Sequence, residues 1–197
     1  MSYDPNRHHR HSIRLKGYDY SQAGAYIVTL VTRNRECLFG EVVDGEMRLG
    51  AVRQIVAESW QWLAAQYDYV TLDAWVVMPN HLHGIIVITD GAGGGRGDDG
   101  GRVGLRTAPT APAKRKTVGR LVGAFKTVST KRINEQRGAP GAQVWQRNYY
   151  EHIIRDQASL NRIREYIVNN PMQWEWDREN VRATHRSPQP KDEPWRI

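Results

Sequence analysis

A single cysteine, Cys37, stands in the 197 residues. That excludes a disulfide within the chain and a thiolate zinc cluster, and it suits a reducing cytosol. No apolar run is long enough to span a bilayer. The first ten residues include Asp4, Asn6, Arg7, His8, His9 and Arg10, without the apolar stretch of a secretory signal. The expectation is a cytoplasmic protein with no membrane partner. No internal repeat is present. The glycine-rich stretch Gly-Ala-Gly-Gly-Gly-Arg-Gly after Asp90 is followed neither by Gly-Lys-Ser/Thr nor directly by a helix, which excludes a nucleotide-binding P-loop.

Acidic residues are also in deficit, with 21 Asp and Glu against 28 Lys and Arg and a formal charge of +7. Such a surplus, with a pI near 9.7, favours a polyanionic partner, because clustered cations displace counterions from phosphates. Charge alone does not separate DNA from RNA or a membrane surface. A chain of this length with 40% hydrophobic content can bury one substantial core. The organisation it suggests is a basic N-terminal arm over 1–20, one domain over 21–176 with a flexible Gly/Pro-rich insertion at 90–114, and a C-terminal tail over 177–197. Within the arm, Arg7, Arg10, Arg14 and Lys16 are candidates for phosphate contact.

The run from Ala25 to Thr32 is β-branched and aromatic and reads as a buried strand. Cys37–Val43 and Glu46–Leu49 flank Asp44-Gly45, a pair that tolerates the positive φ of a tight hairpin turn. Val52, Ile55, Val56 and Leu63 fall at helical spacing between Ala51 and Tyr67. Strand character returns over Thr71–Val77 and, past a Pro79-Asn80 turn, over His81–Ile88. After the insertion, Val118, Leu121, Val122, Phe125 and Val128 form a helical stripe. Arg115, Lys116, Arg120, Lys126, Lys131 and Arg132 surround it with positive charge, a face for nucleic acid or merely a solvated one. Val144–Ile154 reads as a further strand. Asp156 can cap a last helix through Leu160, Ile163 and Ile167, which Asn170-Pro171 ends because the residue before proline avoids helical geometry. This order predicts an α+β fold: a ferredoxin-like β-α-β-β-α-β sandwich with an antiparallel sheet, helices on one face, and an extra C-terminal helix.

Two elements carry chemistry. On the strand His81–Ile88, His81 and His83 are two residues apart, so they face the same way with α-carbons about 6.6 Å apart. Their neutral imidazoles can converge on one divalent ion and leave open positions for a phosphate oxygen. Taken alone, the pair also fits two histidines that finish a hairpin with hydrogen bonds. On the last helix, Tyr166 sits beside the apolar stripe and Asn170 lies one turn further on the same face. A phenol and an amide are thereby presented together. With a pKa near 10, the phenol needs an activated electrophile or a nearby proton acceptor to attack phosphorus. Tyr149 and Tyr150 are competing nucleophiles, but adjacent strand residues face opposite ways, so at most one reaches the histidines. Packing or DNA stacking suits both better, and His152 suits hydrogen bonding near the site. Trp174, Trp176 and Trp195 can stack on unpaired bases or pack the C-terminal extension.

Met78-Pro-Asn-His-Leu-His83 and Tyr166-Ile-Val-Asn-Asn-Pro171 together resemble the REP-associated tyrosine transposases, within the HUH-type single-tyrosine superfamily. Arg14-Leu-Lys-Gly-Tyr-Asp-Tyr20, Glu36-Cys-Leu-Phe-Gly40 and Trp145-Gln-Arg-Asn-Tyr-Tyr-Glu-His152 share the likeness, which covers about Ser12 to Trp176. The resemblance implies a nuclease and strand transferase acting on single-stranded DNA beside hairpins, linked to the 5′ phosphate while a 3′ hydroxyl is released. It implies that His81 and His83 hold Mg²⁺ or Mn²⁺, that Tyr166 attacks the phosphate, and that Asn170 supplies a third ligand where relatives often carry Gln. Arg14, Lys16, Arg115, Lys116, Arg120, Lys126 and Arg147 are the candidate nucleic-acid contacts, in a monomer or homodimer associated with the nucleoid. Two other readings keep the same charge and aromatics: a protein that binds DNA hairpins or structured RNA without turnover, and a metal-dependent nuclease that uses water.

Overall fold

In a computed structural model, residues 14–90 and 115–180 are described. The core sheet is built from β1 (Gly24–Val31), β4 (Val70–Val77), β5 (His81–Ile88) and β6 (Tyr150–Ile154), in the spatial order β4-β5-β1-β6 with antiparallel neighbours. That is the strand order of a ferredoxin-like sandwich. A separate hairpin joins β2 (Gly40–Val43) to β3 (Glu46–Leu49). Its turn has Asp44 at φ 55° and Gly45 at φ 76°, the left-handed pair that a two-residue hairpin demands.

Helices α1 (Ala51–Gln66) and α2 (Val118–Arg137) cover one face of the sheet. Val56, Trp60 and Leu63 of α1 and Val118, Leu121, Val122 and Phe125 of α2 are buried against Tyr26, Val28, Leu30, Leu82 and Ile86, in each case the alternate residues of the strand. Thr117 caps α2 by accepting from the Arg120 amide, and Gly138, at φ 61°, ends it. Helix α3 (Gln157–Asn169) lies on the opposite face, where Ile163 and Ile167 meet Ile27, Ile85 and Ile154. Asp156 caps it, accepting from the Ser159 amide at 2.7 Å. Two helices on one face of an antiparallel sheet is the α+β arrangement expected from sequence; that expectation left the other face open, and α3 covers it. Among the described residues, no helix is long and apolar enough to cross a membrane.

The strand expected over Cys37–Val43 begins only at Gly40, and the structure departs from expectation at two further places. The strand expected over Val144–Ile154 begins only at Tyr150, and upstream a single bridge joins Trp145 to Thr32. The cause is Trp145, which is buried with its Nε1 donating to Ser129 Oγ at 2.9 Å. The next carbonyls, of Gln146 and Asn148, turn towards the ammonium of Lys126 at 2.8 and 3.1 Å. The second departure follows α3. Asn170 keeps right-handed helical angles, φ −58° and ψ −38°, although Pro171 follows. The chain continues as a 3-10 turn over Asn170–Trp176, because a proline in a first turn gives up an N–H that has no helical partner anyway. Residues 177–180, assigned from sequence to the tail, are therefore led back onto the sheet. The arm residues 1–13, the insertion 91–114 and the segment 181–197, with Trp195, lie outside the described residues.

Candidate active site on the α3 face of the sheet

His81 and His83 share the side of β5 that carries Ile85, the α3 side. Their rings stand 4.5 Å apart at 72°, and both are buried. Burial pushes each imidazole down to about 3; a neighbouring Asn170 side chain partly opposes this at His81, and His83 is lowered further by His81 and raised by Asp177. Both rings are thus neutral at pH 7, the form that offers a lone pair.

Hydrogen bonds decide which nitrogen of His81 offers it. The amide nitrogen of Asn80 donates to the carbonyls of Arg35, at 3.1 Å, and Glu179, at 2.7 Å. Its oxygen must then be the group 2.9 Å from His81 Nδ1, so Nδ1 carries the proton and Nε2 the lone pair. That Nε2 is buried and takes no hydrogen bond. Across the ladder, Thr29 pairs with His83 and holds its Nδ1 with Oγ1 at 2.9 Å. Such outer contacts fix the tautomer and orientation of metal-binding histidines.

Tyr166 comes from α3, its ring 5.4 Å from that of His83 at 75°. One chain therefore supplies both the histidines and the phenol. Asn170 is 1% exposed and donates from Nδ2 to Asp177 Oδ2 at 3.3 Å, while its Oδ1 is buried without a partner. Asp177 Oδ2 also lies 3.7 Å from His81 Nε2. Ligand atoms of His81, His83 and Asp177 all fall within 4.8 Å of one another. Two neutral imidazoles and a carboxylate within that span fit a divalent cation. Trp174 closes the group from the 3-10 turn, 6.0 Å from the ring of His81. Beyond it a cleft of about 660 Å³ opens between this turn and the β2–β3 hairpin, with Asp44, Met172, Trp174 and Trp176 among its walls.

No family model matches the chain. An uncharacterized protein of Haemophilus influenzae is 41% identical over 177 residues, 89% of this chain and 95% of that one. The two belong to one family. Among solved structures, a REP-associated tyrosine transposase bound to a REP hairpin matches over 83% of this chain and 74% of its own, with TM-score 0.53 and 19% identity. The chain has the fold of that transposase.

Within this transposase fold, the other residues singled out from sequence are dispersed. Tyr150 stands opposite Thr29 and packs on the α3 side. Tyr149 packs on the other side, where its hydroxyl donates to Glu151 at 2.6 Å and accepts from Arg14 at 2.6 Å. Burial, then Glu151, pushes that phenol up, so it is a poor nucleophile as well as a distant one. His152 lies opposite Ile27, further along the sheet.

The basic residues divide by engagement. Arg14 is paired with Glu151 and stacked on Tyr20. Arg115 donates to Thr89 and Asp90, and Lys116 to the hydroxyl of Tyr67. Lys126 faces the two carbonyls already described, and burial pushes its ammonium down to about 8. Lys16, Arg120 and Arg147 are exposed. Those on α2 lie across the sheet from the histidines. The residue that sequence reading passed over is Asp177. Glu175 and Glu179 flank it in a segment without periodicity, so nothing in the sequence marks it out.

Proposed function

We propose that this protein cleaves and rejoins single-stranded DNA at hairpin-associated sites through a covalent 5′-phosphotyrosine, as a transposase of the HUH type. The observation that carries the reading is the convergence of Tyr166 with His81 and His83 on one buried patch. A non-catalytic binder has no need of a nucleophile beside two neutral imidazoles. His81, His83 and a polar group from the α3 end, Asn170 in the family resemblance, hold Mg²⁺ or Mn²⁺. When bound, the ion supplies Lewis acidity to the scissile phosphate.

The remaining steps belong to the chain. Tyr166 Oη forms a bond to phosphorus, the bond from phosphorus to the 3′ oxygen breaks, and in the net reaction the phenol's proton ends on that oxygen. An ester replaces an ester, so the linkage keeps its energy and the 3′ hydroxyl can later reverse the step. Asn80 and Thr29 hold the imidazoles so that neither reorganises during the reaction. The cleft beside Trp174 has room and aromatic surface for an unpaired nucleotide next to the cut. The +7 charge supports a place at the nucleoid. Because one chain supplies both halves of the site, a monomer suffices.

The test is incubation with a labelled single-stranded hairpin oligonucleotide and Mn²⁺, followed by denaturing electrophoresis. A protein–DNA adduct that disappears in Tyr166→Phe is expected. Cleavage that survives this substitution would mean that water is the nucleophile, and binding without cleavage would mean a non-catalytic hairpin or RNA binder. His81→Ala should abolish the adduct and retain most phosphate-driven affinity.

A further inference from the structure

Asp177 lies outside the histidine strand and beyond the tyrosine helix, yet its side chain is 4% exposed and reaches both. Its Oδ1 accepts from the Glu179 amide at 2.6 Å. Its Oδ2 meets the Asn170 amide at 3.3 Å and stands 3.7 Å from His81 Nε2. Among the described residues, His81 is the one basic side chain paired with it. Buried carboxyl groups are paired or coordinate metals. The 3.7 Å gap is too wide for a hydrogen bond. It is the separation expected of two atoms bound to one ion: with bonds of about 2.1–2.2 Å, angles of 90–120° give spans of about 3.0–3.8 Å.

We infer that Asp177 is the anionic third protein ligand of the metal site, and that Asn170 is a positioning residue that holds it there. The inference rests on the metal-dependent reading above and changes its ligand set, replacing a neutral amide on the tyrosine helix with a carboxylate on the turn that follows. An oxygen anion strengthens the hold on a hard cation such as Mg²⁺ or Mn²⁺. It also lowers the charge of the assembled site to +1, so that a bound phosphodiester monoanion makes it neutral. The 3-10 turn accounts for the delivery. Asn170 stays helical ahead of Pro171, the turn ends at Trp176, and the Asp177 amide donates to the Trp174 carbonyl at 3.1 Å.

The experiment is Mn²⁺ binding to the full chain without DNA, followed by calorimetry and by the electron-spin signal of free Mn²⁺. Asp177→Asn keeps the shape and the acceptor for the Glu179 amide. It is expected to weaken Mn²⁺ by at least about tenfold, the scale of changes around metal ligands, while Tyr166→Phe binds as the wild type does. Asn170→Ala should weaken binding less, and should have no further effect in an Asp177→Asn background. A persisting effect there would make Asn170 a ligand in its own right and overturn its positioning role. A measurement on the unaltered protein covers any folding defect: Mn²⁺ should broaden the carboxyl ¹³C resonance of Asp177. Wild-type affinity in Asp177→Asn, an unbroadened resonance, or no Mn²⁺ binding by the wild type would each overturn the inference. The adduct assay fails separately: Asp177-dependent binding without an adduct refutes strand cleavage alone, and an adduct with Asp177-independent binding refutes only this ligand.

Discussion

Arg164 on α3 grips Asp73 on β4 with two parallel hydrogen bonds, Nε at 2.8 Å and Nη2 at 2.6 Å. Asp73 lies where the β4–β5 register shifts, between Leu72 and Trp75, so an irregularity in the strand is used to fasten the helix that carries Tyr166. The pair is partly exposed and screened, so its contribution to global stability is small. Its effect should appear in the reaction, where a displacement of about 1 Å can cost about 100-fold. Asp73→Asn is expected to slow adduct formation by about tenfold or more while hairpin affinity stays within about twofold. The sign with pH follows from Asp73, whose carboxyl Arg164 holds below its ordinary 3.8 against the opposing effect of burial. A depressed carboxylate stabilises the fold above its unfolded value and loses that contribution as pH falls through the folded one. Melting curves of wild type and Asp73→Asn should therefore separate above about pH 4 and converge below it.

Gly84 separates His83 from Ile85 and faces α1. A β-carbon there would sit 2.5 Å from the ring of Trp60, which is fully buried and packed edge-on against Phe125. Gly84→Ala must push that ring into a filled core, at about 1–3 kcal/mol. Urea unfolding should show this loss, and a smaller one in a Trp60→Phe background, where the ring that blocks the new methyl is smaller.

How much was legible in the sequence depended on distance along it. The facing of His81 and His83, the Asp44-Gly45 turn and the Asp156 cap are decided within a few residues, by strand alternation, by left-handed tolerance and by a side chain reaching the next turn's amide. The start of β6 was not legible, because Val144–Tyr149 has strand composition but Trp145 and Lys126 draw it away through contacts 16 to 22 residues off. Asp177 was hidden for the same reason. Its role arises from a turn that continues past Pro171 and from a partner on β5, neither of which leaves a periodic trace.

Basic residues separate into those that hold the fold and those open to DNA. Lys126→Met removes two charge-assisted bonds to the carbonyls of Gln146 and Asn148 and should destabilise by about 1–3 kcal/mol. It should leave the salt dependence of hairpin binding unchanged. Arg120→Ala and Lys16→Ala, at exposed positions, should leave melting unaltered and each reduce the slope of log affinity against log salt by about 1. A steep slope retained in both would move the DNA contact elsewhere on the protein.

Asn80 should matter more than its distance from any substrate suggests. Its amide nitrogen ties together the carbonyls of Arg35 and Glu179, and its oxygen requires the proton of His81 to sit on Nδ1. Asn80→Ala removes the tie and the tautomer control together, with a fully buried site left behind. The expected result is a loss of about 1–3 kcal/mol in unfolding free energy and about 10–100-fold weaker Mn²⁺. Asn80→Asp separates the two effects. A carboxylate still accepts from Nδ1 but donates to neither carbonyl, so stability should fall while His81 keeps the tautomer that frees Nε2. If Asn80→Asp binds Mn²⁺ as poorly as Asn80→Ala in samples shown to be folded, then proton placement on His81 is not what Asn80 contributes, and its tie to the Glu179 carbonyl, which brings Asp177 home, is.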